Sequence, residues 1–139
     1  MSFLLDTNII SEIAKGPRCD ANVAAWFASV DDSGLYLSVL VLGEIRKGVE
    51  SVRRRGPEKA AGLEKWLDEL INSYSERVLP VSQAIADEWG RMSALRSVPV
   101  VDGLLAATAK IHRIVLVTRN EAHVHNLGAE FHNPFRPTH

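Results

Sequence analysis

One cysteine, Cys19, is present in a chain of 139 residues, so no intrachain disulfide can close, and no neighbouring residue completes a zinc-ligand spacing. No apolar run is long enough to cross a bilayer. The start, Met1-Ser2-Phe3-Leu4-Leu5-Asp6, lacks the basic opening and long apolar stretch of a secretory signal. A cytoplasmic protein without a membrane partner is expected. The net charge is only −1, which gives no bulk electrostatic hold on nucleic acid. A local patch could still position a phosphate chain. Arg53, Arg54 and Arg55 with Lys59 form the densest basic cluster, readable either as a solvated helix end or as a phosphate contact. Glycines do not cluster after any strand-like run, which removes P-loop and dinucleotide fingerprints.

What is present is a globular composition, with 46% hydrophobic residues and both charge signs spread along the chain. Short apolar runs at Phe3–Leu5, Leu35–Leu37, Val78–Val81 and Ile114–Val117 read as strands, with Ala129–Phe131 as a last short one. The proline at position 80 places the third run near a sheet edge. Between them lie stretches with helical spacing. Ser38 and Ser82 stand as caps, Gly16-Pro17 and Gly56-Pro57 as boundaries, and Pro99 as a first-turn proline followed by Asp102. Val41, Ile45 and Val49 form one apolar stripe with Glu44 on its flank; Leu63, Trp66, Leu67, Leu70 and Ile71 form another, and Leu104, Leu105, Thr108 and Ile111 a third. A weak helix after Asn120 ends before Gly128. Strands alternating with amphipathic helices predict an α/β fold with helices on both faces of a mostly parallel sheet.

In such a fold the carboxyl ends of strands and the N-termini of helices share one edge, where open α/β sheets bind ligands. Asp6, Glu44, Asp102 and Asn120 all fall at that edge. Each has a local explanation: Asp6 as a cap, Asp102 favoured by the helix dipole, Glu44 as a solvated flank, Asn120 as a turn residue. Together they ask for more. Two unit charges about 4 Å apart repel by about 1 kcal/mol in water and about 4 kcal/mol at an effective dielectric near 20. A hard divalent cation relieves that repulsion, and Mg2+ or Mn2+ suits carboxylates plus waters. Such an ion activates water against a phosphodiester.

The residues at these places resemble a known family. Leu4-Leu5-Asp6-Thr7-Asn8-Ile9-Ile10-Ser11-Glu12 is similar to the opening motif of PIN-domain nucleases, in particular the VapC-type and FitB-like toxins of toxin–antitoxin pairs. Ser38 to Gly48, around Glu44, resembles their second acidic motif, and Pro99 to Ala109, around Asp102, their third. Leu116-Val117-Thr118-Arg119-Asn120 with Gly128 and Asn133-Pro134 resembles their C-terminal end. The resemblance spans nearly the whole chain in register. It implies a single PIN domain over residues 1–139, with a three-layer α/β/α fold. It also implies a Mg2+- or Mn2+-dependent endoribonuclease acting as the toxin of a type II pair. Asp6, Asp102 and Glu44 match the metal-ligating acids, and Asn120 a secondary position. The expected partners are RNA as substrate, a cognate antitoxin, a second copy of the chain and, through the antitoxin, operator DNA.

One departure stands out. Where the family often carries an Asp-Phe pair, this chain reads His123-Val124, so a fourth carboxylate is missing. His123 reads either as a phosphate- or water-orienting group or as a surface or structural histidine. Thr7, Asn8 and Thr118 are candidates for holding the carboxylates from behind, and Arg46 for pairing with Glu44 or meeting a phosphate. An aspartyl phosphotransferase of the haloacid-dehalogenase type would need an acid where Asn8 stands. A receiver domain would need an acidic pair where Leu5 stands and a lysine that Arg119-Asn120 does not supply. A catalytically silent PIN module that only binds an antitoxin or nucleic acid remains as the alternative.

Overall fold

The computed structural model describes residues 1–137. Five short strands, β1 (Phe3–Leu5), β2 (Leu35–Ser38), β3 (Val78–Leu79), β4 (Val115–Val117) and β5 (Phe131–His132), form one sheet in the order β3-β2-β1-β4-β5. Every pairing is parallel, so the expected mostly parallel sheet is wholly so. The register sets Leu4 beside Tyr36 on one side and Leu116 on the other. Parallel strands need crossovers, and seven helices supply them: α1 (Thr7–Ile13), α2 (Ala21–Ser29), α3 (Val39–Arg53), α4 (Pro57–Tyr74), α5 (Gln83–Leu95), α6 (Val100–His112) and α7 (Glu121–Val124).

Local chemistry explains the boundaries. The hydroxyls of Ser38 and Ser82 accept from the backbone N–H groups of Leu40 and Ile85, starting α3 and α5 where the sequence placed them. Pro57 opens α4 and Pro99 is the residue before α6, one position earlier than a first-turn proline. Gly128 adopts a φ of +85°, which favours glycine. α7 is shorter than expected, ending at Val124, and the last strand lies at 131–132 rather than 129–131.

The core sits on both sides of β1 and β4. Leu4, Leu5, Leu37 and Val117 have no exposed surface, and neither do Ala106, Ala107 and Ala109 of α6. Those small side chains let α6 lie close to its neighbours. Ile71 and Ile111, expected in buried stripes, are each 40% exposed because they sit at the margins of their helices' packed faces.

Candidate metal centre

The strand order reverses direction between β1 and β4, which opens a crevice beyond their carboxyl ends. Asp6 follows β1 directly. Its backbone N–H donates to the carbonyl of Val117 at 2.9 Å, so it is fixed to β4 before its side chain makes any contact. One carboxylate oxygen, Oδ1, accepts from the Thr7 N–H at 2.7 Å, which is the cap role. The other, Oδ2, accepts from the Thr118 hydroxyl at 2.7 Å and the Asn8 amide at 3.3 Å. The cap and site readings are therefore met by different oxygens of one group.

Asp6 is only 5% exposed. Burial raises its pKa above the usual carboxylate value, and the nearby charges of Asp102 and Glu44 push the same way. The hydrogen bonds from Thr118 and Thr7 oppose the rise without cancelling it. Asp102 of α6 and Glu44 of α3 thus both act on Asp6, which follows β1.

Glu44, in the second turn of α3, accepts from the Thr7 hydroxyl through Oε1 at 2.5 Å. Thr7 therefore ties two of the acids together, its N–H to Asp6 and its O–H to Glu44. Asn8 bridges as well, since its Oδ1 accepts from the Arg119 N–H at 3.2 Å. Thr118 accepts the Asn120 N–H at 3.0 Å while donating to Asp6. Thr7, Asn8 and Thr118 thus each hydrogen-bond to Asp6, and Thr7 to Glu44 as well.

Asp102 lies in the first turn of α6, with its side chain 13% exposed. Its Oδ2 accepts from Nδ1 of His123 at 2.5 Å. This histidine is the residue the sequence reading places least well, since that reading favours a surface or structural role over a site role. The available signal was its position, where the resembled family carries an acid. Asn120 is the cap residue of α7, but its side chain makes no capping hydrogen bond. Arg46 departs from its expectation. Its guanidinium donates to Glu50 at 3.1 Å and Glu64 at 3.0 Å, not to Glu44, because α4 brings Glu64 alongside α3. Arg53 joins the same pair of glutamates.

Among the described residues, no three His, Cys, Asp or Glu side chains are gathered tightly enough to enclose an ion by themselves. Mg2+ dehydrates reluctantly and is ordinarily held by one or two carboxylates. Burial is the main reason that Asp6 holds a proton more readily than a free carboxylate, and the charges of Asp102 and Glu44 add to it, so positive charge is favoured there.

The family model described as "PIN domain" matches residues 3–126. Toxin FitB of Neisseria gonorrhoeae is 30% identical over 122 residues, covering 84% of this chain and 86% of that protein. VapC ribonuclease Y4jK of Sinorhizobium fredii is 30% identical over 139 residues, covering 96% and 98%. A crystal structure of FitAcB from Neisseria gonorrhoeae superposes with a TM-score of 0.87 at 28% identity, over 97% of this chain and 99% of that one. A structure of FitAB bound to an IR36 DNA fragment gives 0.87 at 27%, over 99% and 98%.

Proposed function

Because the chain belongs to the PIN-domain family, we propose that it is the toxin of a type II toxin–antitoxin pair, a divalent-metal-dependent endoribonuclease contained in one domain over residues 1–139. The observation that carries this reading is the convergence of Asp6, Glu44 and Asp102: Thr7 ties Asp6 to Glu44, and the charges of Asp102 and Glu44 both act on Asp6. Relatives named as a toxin and a ribonuclease, at 30% identity over most of their length, support it. Solved complexes of the same fold with antitoxins and DNA support a cognate antitoxin as partner and, through it, operator DNA. A homodimer completes the reading. No described helix is long and apolar enough to cross a membrane.

Asp6 and Asp102 would hold the ion, Mg2+ or Mn2+, with Glu44 completing the site and Asn120 beside it. When bound, that ion supplies an activated water and neutralises charge on a phosphate oxygen. The chain's own residues fix the geometry. Thr118 and Asn8 point Asp6 Oδ2 in one direction, and Thr7 holds Glu44 against the same crevice. Burial strips water from Asp6, which strengthens its attraction for a cation.

Expression without the antitoxin is expected to arrest growth, with RNA ends bearing 5′-phosphate and 3′-hydroxyl. Asp6→Asn and Asp102→Asn should each abolish both effects. Equal toxicity of wild type and both variants would defeat the nuclease assignment. Growth arrest without RNA cleavage would favour the silent binding module. Light scattering across micromolar concentrations tests the dimer, which a stable monomer would refute.

A further inference from the structure

We infer that this centre takes a single divalent ion, because His123 occupies the oxygen of Asp102 that a second ion would need. The inference rests on the metal-dependent reading above, and it concerns how many ions that site admits.

Two-ion phosphodiester sites hold their cations about 3.5–4 Å apart, a spacing set by carboxylates that give one oxygen to each. Asp102 is placed for such a role, on the first turn of α6 facing the crevice. Its Oδ2 is taken, however, by the Nδ1–H of His123 at 2.5 Å. A carboxylate can only accept, so the nitrogen must be the donor, and its hydrogen points where a second cation would approach. Oδ1 remains for one ion. A hydrogen-bonded carboxylate is an ordinary ligand for one metal, and the imidazole then orients it.

The backbone on either side of His123 is held in place, although its side chain is 46% exposed. Val124, the next residue, is 1% exposed and anchors α7 in the core. Arg96 donates to the carbonyls of Ala122 and His125, one on each side of His123. Glu121, at the start of α7, is held by the Asn133 amide at 2.7 Å and by Arg136. This short helix is therefore clamped from α5 and from the C-terminal segment, and the clamp presents an N–H donor to Asp102. Asn120, the cap residue of α7, is neutral, and the carboxylate of Glu121 beside it is bound to Asn133 and Arg136.

Manganese titration of the full chain, purified without partner, tests this by calorimetry, with the free ion followed by electron paramagnetic resonance. Wild type is expected to bind about one ion per chain. His123→Asp should double that to about two, because it replaces the donor with a carboxylate at the same place. His123→Asn, which keeps an N–H near Oδ2, should stay at about one and serves as the folding control, with circular dichroism melts for all three. Two ions on wild type, or no second ion on a folded His123→Asp chain, would overturn the inference. Loss of the ion in His123→Asn would make the imidazole itself a ligand and overturn it too. No ion on wild type would instead bring down the metal-dependent reading, a result distinct from all the others.

Discussion

Asp6 carries a charge that the folded chain, without a cation, disfavours. Its pKa is raised by burial first and by Asp102 and Glu44 after that, so the native state binds the proton more readily than the unfolded chain does. The stability linked to this group is present below its unfolded value near 3.8 and is lost as pH rises through the folded value. Asp6→Asn should therefore raise the melting temperature of the metal-free protein at pH 7, with the gain shrinking as pH is lowered toward 4. Metal reverses the ranking: at about 100 times the dissociation constant, Mn2+ should add about 2.7 kcal/mol to wild type and little to the variant. Thermal melts with and without Mn2+ read both effects. Thr118→Val acts in the other direction. It removes the hydroxyl that donates to Asp6 and accepts from Asn120, leaving the buried Asp6 Oδ2 with the longer bond from Asn8 alone. Urea denaturation should show a loss of about 1–3 kcal/mol.

At the scale of the element, α3 and α4 are joined by two unequal contacts. The visible one is the lattice of Arg46 and Arg53 with Glu50 and Glu64, all on the surface. Exposed pairs of this kind contribute little. The other is apolar, and Leu67 at 2% exposed is its centre. Glu64→Ala should leave the denaturation midpoint close to wild type, whereas Leu67→Ala should cost about 2–5 kcal/mol. The helices were legible where local chemistry sets them. Ser38 and Ser82 cap as their sequence context suggests, and the period of Val41, Ile45 and Val49 gives the inward face of α3. Arg46 was not legible, because its partner Glu64 lies 18 residues away on another helix. Ile71 and Ile111 follow the apolar period, yet neighbours cover only part of each stripe, and no local pattern reports how wide that cover is. β3 and β5 are two residues each, too short for alternation to mark their ends.

For the molecule as a whole, the strand order was beyond a local reading, since it depends on which crossovers pack together. The shared edge did not depend on it: any parallel arrangement puts Asp6, Glu44 and Asp102 on the same rim, which is why the acids were readable and their hydrogen bonds were not. The contact of His123 with Asp102 needed α7 to be folded against α6, a tertiary fact. Acid sensitivity belongs to this scale as well. His132 packs on Trp26 with a ring-centroid distance of 5.8 Å, and its Nε2 is buried without a partner. Burial lowers its pKa below 6.5, partly offset by Glu121. The neutral form is the one the fold accepts, so the associated stability is present above pH 6.5 and declines as pH falls through that value toward the folded one. Melting temperatures at pH 7 and pH 5 should differ less in His132→Phe than in wild type.

The bond from Thr118 to Asp6 joins residues 112 positions apart. A polypeptide interrupted anywhere before β4 keeps the opening aspartate but lacks both the strand its backbone leans on and the hydroxyl that steers its side chain. Partial translation products and N-terminal proteolytic fragments therefore lack the assembled site, which forms only once the fourth strand has docked.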